Sequence, residues 1–443
     1  MKRFMAALAV FAACAALNAQ TPNPTRVFPF PYETVQLENG FRAYLIKAGA
    51  PGQIAYVSIV RTGSRDEIEP GKSGFAHFFE HMMFRGTEKY PHYDEETTKM
   101  GAFRNASTWA DQTAYYIVAN TEYLEKIVDI ESDRFQNLKY AEPDFRTEAG
   151  AILGEYQNGA REPSRWLNEK VREAAFKTHT YAHTVIGYEA DVRAMPEAYE
   201  YSKSFYQRFY RPENVVLVIA GDFDMEKTKA LVRKYYAGWK SGYKAPAIEP
   251  EPPQTAPREL TVKYPGRTLP IISVNYKAPA WNPKDEAGVA LEVLGQVAFG
   301  PNSALYRKLV LQERRVQSLF GSFGLARDPY LVSVQTMVSN PADVKKVEEE
   351  ILAEIKKVQE TLVDPKQLAA TKSNIKYGLL MGMETAQDVA FAVMQPIVNA
   401  GKLEALEEYM RTLEAVTPED IREAARKFLV DTGRTTITMV QEG

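Results

Sequence analysis

Residues Ser241 to Arg258 read SGYKAPAIEPEPPQTAPR, a stretch dense in proline with neither helical nor strand periodicity. Proline fixes its own φ and removes a backbone donor, so such a run suits a linker rather than an element interior. It divides a chain of 443 residues, already too long for one ordinary core, into two halves of similar size. The halves also end alike. Phe205 to Tyr210 lead into the apolar run Val215 to Ala220, and Ala425 to Leu429 lead into Thr435 to Val440. Each is a helix end, a short turn and a final apolar strand, the pattern of a duplicated α+β unit.

Within the first half, Phe41 to Ile46 and Ile54 to Val60 alternate like paired strands. A helical segment follows from Ser73, then strand-like Gln112 to Ala119, then a long helical stretch from about Thr121 through Gly159. The second half follows suit with strand-like Ile271 to Tyr276 and a helix from about Glu286. Strands and helices mixed in this way favour an α+β sandwich over simple βαβ alternation. The expected layout is a leader over 1–19, a first domain over 20–240, the linker 241–258 and a second, similar domain over 259–443.

The leader has the charge, core and exit of a secretory signal peptide: Lys2 and Arg3, the apolar run Phe4 to Leu17, and small residues around Ala19. Cleavage is expected after Ala19, giving an exported protein, periplasmic by preference over secreted or lipid-anchored. The single cysteine, Cys14, lies inside this segment, where Phe11-Ala12-Ala13-Cys14 faintly resembles a lipobox after a short apolar core. Cleavage leaves no cysteine, so any transition metal must be held by histidine and carboxylates. A formal charge of -3 without basic clusters argues against nucleic acid or anionic lipid as partner. No internal stretch approaches the roughly 20 apolar residues of a membrane helix.

The chemistry concentrates in Gly74-Phe-Ala-His77-Phe-Phe-Glu80-His81-Met-Met-Phe. Ser73 as N-cap and Gly86 as C-cap predict a helix of about three turns. His77 and His81 then project from one face, four residues apart, close enough to bind one ion. Glu80 sits beside the metal, where a carboxylate takes a proton from a zinc-bound water. This is the H-x-x-E-H signature, His-Glu-x-x-His in the reverse chain direction. The bland alternative is a pair of structural histidines on an amphipathic helix. Against it, two histidines and a glutamate are costly among Phe75, Phe78, Phe79, Met82 and Met83.

A catalytic zinc needs a third protein ligand and one open position. The stretch Pro143 to Tyr156 predicts a helix with Phe145, Ala149, Ile152 and Tyr156 as its buried stripe, and with Glu148 and Glu155 along one edge. These two carboxylates lie about 10 Å apart along the axis, too far for both to bind one ion. One is expected as ligand and the other as its supporting partner, and periodicity does not choose between them.

His77-Phe-Phe-Glu80-His81-Met-Met-Phe-Arg-Gly-Thr87, with Glu148 and Glu155 seven apart downstream, resembles the pitrilysin/insulinase family of inverzincin metallopeptidases, which includes processing peptidases. Asn105 to Tyr115, Tyr181 to Gly187, and Phe209 to Asn214 with Gly221-Asp222 match in order and spacing. The resemblance implies one Zn2+ per chain on His77, His81 and Glu155, with Glu148 as auxiliary acid beside the catalytic Glu80. It also implies two homologous α+β domains forming half of a clamshell peptidase. Asn105 and Ala106 would lie on a strand where substrate adds as an extra strand.

The second half departs from the active pattern. Where the family places an arginine and a tyrosine seven apart, this chain has Val310 and Gln317. The second half also has no histidine. The expected function is a zinc-dependent endopeptidase acting on peptides or unfolded segments, with a homologous partner chain supplying the arginine and tyrosine. The alternative is a non-catalytic peptide-binding or scaffold subunit.

Overall fold

The computed structural model describes residues 27–442. The expected signal peptide, its cleavage point and Cys14 lie outside the described residues. The chain forms two sheets. The first has the order β1-β2-β6-β3-β5-β4. Its strands are β1 Tyr32–Gln36, β2 Arg42–Lys47, β3 Gln53–Val60, β4 Phe103–Thr108, β5 Thr113–Asn120 and β6 Val215–Gly221. The second has the order β7-β11-β8-β10-β9. It comprises β7 Arg258–Tyr264, β8 Ile271–Ala278, β9 Val316–Phe323, β10 Tyr330–Val338 and β11 Arg434–Gln441.

Without β1 the two orders superpose strand for strand. In each, the last strand of the unit inserts beside the first and runs parallel to it, β6 along β2 and β11 along β7. The other neighbouring pairs are antiparallel. This is the duplicated α+β unit in topological form. It also corrects one pairing: β2 and β3 are not neighbours, because β6 lies between them. The long helical stretch expected from Thr121 is two helices, Leu124–Asn137 and Glu142–Gly159, after a short 3-10 turn. Leu138 leaves the helical conformation, and Pro143 starts the second helix in its first turn.

Each half covers the other's sheet. On β3, Ile54 and Tyr56 pack with Phe75, Phe78, Phe79, Ile152 and Phe205 of the first half. The alternate residues Ala55, Val57 and Ile59 pack in one cluster with Val389, Ala390, Val393, Ile397 and Val398 of the second half. The continuous burial of β3 from Ile54 to Val60 follows from this two-sided cover. Conversely, helix Pro163–Ala175 of the first half lays Leu167, Val171 and Ala175 against Ile437 and Met439 of β11. Residues 240–257 contain no helix or strand and run as a pinned strap. Glu251 accepts the backbone N–H groups of Lys177, Thr178 and His179, and Gln254 donates to the carbonyl of Arg434. Among the described residues no helix is long and apolar enough to cross a membrane.

Candidate metal centre

Helix α1, Phe75–Met82, is anchored by its apolar face. Phe78, Phe79 and Met82 are fully buried, and the carbonyl of Phe79 accepts the hydroxyl of Tyr115 at 2.9 Å. The helix is shorter than the three turns expected, and its caps differ. Gly74, not Ser73, is the N-cap, at φ +93, where a Cβ would stand 2.6 Å from the carbonyl oxygen of Ile186. Ser73 instead donates its hydroxyl to Asp191. Gly86 lies beyond the helix end in the following turn. The amides of Gly74 and Ala76 donate to the buried carboxylate of Glu67 at 2.8 and 2.6 Å. Burial holds the Glu67 carboxyl well above the usual range, although these two amides favour its charged form.

On the opposite face, His77, His81 and Glu155 bring one donor atom each within 4.8 Å of one another. Glu155 Oε2 is 3.5 Å from His77 Nε2, and Glu155 Oε1 is 3.5 Å from His81 Nε2. Glu148, one of two equivalent positions in the sequence, does not enter this group. Its Oε1 is 2.9 Å from His81 Nδ1, the ring atom away from Glu155, and its Oε2 accepts from Arg85. Expected from the family resemblance as an auxiliary acid beside Glu80, Glu148 here contacts the His81 ring and Arg85.

Burial, then the neighbouring His81 and the Arg165 guanidinium, depress the His77 imidazole to about 3, so it stays neutral and keeps a lone pair for a ligand. At His81 burial works against the charge, but the Glu148 hydrogen bond and Glu155 outweigh it and raise the ring. The Glu148 carboxyl is held low, first by His81 and also by Arg85. Two imidazoles and one carboxylate around a common point fit a zinc ion with one coordination position left open.

Glu80 lies beside this cluster. Its Oε2 accepts the hydroxyl of Thr108, on β4, at 2.6 Å. Burial raises the Glu80 carboxyl, with Thr108 and His81 opposing, toward the range suited to proton exchange. β4 is the edge of the first sheet, with its outer backbone groups free of any neighbouring strand. Asn105 is exposed on it and shares a hollow with Glu80, His81, Arg85, Asp94 and Glu148. Its Oδ1 accepts the N–H of Ala106 at 2.9 Å, and Ala106 is itself buried against β5. Asn105 to Tyr115 spans a hairpin that turns at Trp109 to Gln112. In the second half Val310 packs against the core and Gln317 is exposed on β9.

The profile of the insulinase family, peptidase family M16, matches residues 45–189, and that of the M16 peptidase inactive domain matches residues 198–375. The chain belongs to the pitrilysin/insulinase family. It is 26% identical to zinc protease PqqE of Helicobacter pylori, over 92% of each chain. A solved protease from Helicobacter pylori superposes with a TM-score of 0.86 at 25% identity, over 93% of this chain and 99% of that one. The periplasmic protease PqqL of Escherichia coli shares the fold, with a TM-score of 0.75 at 19% identity, over 93% of this chain but 48% of PqqL. Two homologous α+β units arranged as half of a clamshell are therefore the architecture of this chain.

Sequence reasoning missed Glu67, Thr108 and Arg85. Thr108 lay within the stretch resembling the family, but nothing in its spacing connects it to Glu80. Glu67 left no local signal, because it caps a helix from seven residues upstream.

Proposed function

We propose that this chain is a zinc-dependent endopeptidase acting on peptides or unfolded segments, with one zinc on His77, His81 and Glu155. The observation that carries the reading is the convergence of these three donors within 4.8 Å, with Glu80 held beside them by the edge strand. When bound, zinc supplies Lewis-acid polarisation of the scissile carbonyl and of the attacking water. Glu80 takes a proton from that water and returns it to the leaving amine, so peptide plus water gives a carboxylate and an amine. Glu148 fixes the His81 ring. Substrate adds as a strand along β4 at Asn105 and Ala106, recognised through its backbone.

The first domain, 20–240, carries this chemistry, and among the described residues the second, 259–443, has no group of side chains placed to hold a metal. Val310 and Gln317 offer no arginine or tyrosine to grip the peptide. A homologous partner chain supplies them and completes the clamshell. PqqL, about twice as long as the part matched here, supports the idea that two such units work together. Its periplasmic location and the leader 1–19 together support export of this chain.

The second reading, a non-catalytic peptide-binding or scaffold subunit, is favoured by Val310 and Gln317 alone. Glu80→Gln separates the two. It is expected to retain zinc by elemental analysis while peptide turnover, with the partner present, falls at least about 100-fold. Undiminished turnover in Glu80→Gln, or a zinc-loaded wild type with partner that cleaves no peptide, overturns the peptidase reading.

A further inference from the structure

Beside the metal cluster, His77 and Glu155, but not Glu80, border a cavity of about 190 Å³. Its walls are largely apolar, formed by Tyr156, Trp166, Val185 and Ile186, with Arg165 among them. Three groups on this cavity have hydrogen bonds to give. The Arg165 guanidinium and the Tyr156 hydroxyl have no hydrogen-bond or carboxylate partner among the described residues. The Trp166 Nε1–H is buried without an acceptor. All three can donate, and the Tyr156 hydroxyl can accept as well.

The acceptors nearby are already engaged. Glu169 lies 3.2 Å from Lys170, Asn168 accepts from Arg172, and Glu155 belongs to the metal cluster. Lys170 is shared between Glu169 and Glu173, while Arg165, the one cation on the cavity lining, has no carboxylate partner among the described residues. Its path is built into the helix before it. The side chain crosses Gly159 so closely that a Cβ there would stand 2.3 Å from Nη1 and 3.0 Å from Cδ. The Trp166 Nε1–H is buried and unpaired, and an apolar peptide side chain filling this cavity would leave it so, at a cost. A carboxylate could accept from Trp166, Tyr156 and the exposed Arg165, from the last through a charge-assisted bond.

We propose that Arg165, with Tyr156 and Trp166, selects peptides that bring a carboxylate next to the bond at the metal centre. The inference rests on the reading of this centre as a peptide-cleaving site. The carboxylate has two possible sources, an internal acidic side chain or the peptide's own C-terminus.

Binding to the full-length, zinc-loaded Glu80→Gln chain tests this without turnover. Four otherwise identical alanine-rich octapeptides, with one internal Glu or Gln and with a free or amidated C-terminus, are titrated by calorimetry. At least one carboxylate arm is expected to bind about tenfold more tightly than the amidated Gln peptide, the size of one charge-assisted hydrogen bond. A Glu-dependent gain identifies a side chain, and a free-acid gain identifies the chain terminus. Arg165→Met, at an exposed position, is expected to erase the preference, and Tyr156→Phe to reduce it. Equal affinity or no binding for all four peptides, or a preference that survives Arg165→Met, overturns the proposal. A zinc-loaded wild-type chain that binds with this preference yet cleaves nothing with the partner present overturns the peptidase reading and leaves the carboxylate selection standing.

Discussion

The carboxylate of Glu67 accepts the backbone N–H of Ala76 at 2.6 Å from inside the protein, one residue before His77. A second oxygen takes the N–H of Gly74. The helix that carries His77, Glu80 and His81 is thus held at its N-terminus by a residue outside it.

Glu67→Ala is expected to strand two buried amides and to lower stability by about 2–4 kcal/mol in urea unfolding. Zinc affinity should fall as well, because the turn preceding His77 loses its anchor. Glu67→Gln keeps acceptor oxygen for one amide and should recover part of both. Equal losses in the two variants would point to a role for the charge rather than for helix anchoring.

The two glutamates of helix Glu142–Gly159 should separate in metal titrations. His81→Ala and Glu155→Ala are expected to lose the ion outright by elemental analysis. Glu148→Ala should still bind it, about 10- to 100-fold more weakly, as when the partner of a ligating histidine is removed. A Glu148 variant devoid of metal beside a Glu155 variant that retains it would reverse the assignment.

Burial pushes the Glu292 carboxyl up to about 7, although its hydrogen bond from Tyr409 favours the charged form. The folded state therefore holds a proton that the unfolded chain, with a carboxyl near 4.5, has released. Stability from this group is full below about pH 4.5 and falls as pH rises to about 7, by roughly 2–3 kcal/mol between pH 5 and pH 8. Glu292→Gln lacks this loss. The difference between variant and wild type in urea unfolding should shift toward the variant by that amount from pH 5 to pH 8.

Because each half covers the other's sheet, the halves should not unfold separately. Leu167→Ala removes first-half packing from the second sheet and should cost about 2–5 kcal/mol. A single calorimetric transition that moves as a whole is expected. A second transition left at its original temperature would show that the two sheets are independent.

The metal helix was legible because its three key residues lie within five positions, where helical periodicity alone brings them to one side. The duplication was legible for a similar reason, since each unit closes with the same helix end and apolar strand. Long-range relationships were not. Ile54 to Val60 looked like a partner of Phe41 to Ile46, yet β6 arrives from more than 150 residues downstream to separate them. Glu148 and Glu155 have the same helical phase, so only their distances to the two histidine rings distinguish them. Glu67, Thr108 and Arg165 act through tertiary contacts that no spacing encodes.

Helices Ala386–Ala392 and Met394–Ala400, which close the far side of the first sheet, are synthesised only after the whole of the first half. A product truncated before them would contain His77, Glu80, His81, Glu155 and the edge strand, but on a sheet still open to water on one face. Under the peptidase reading, synthesis of the second half and assembly of a working centre in the first are therefore tied together.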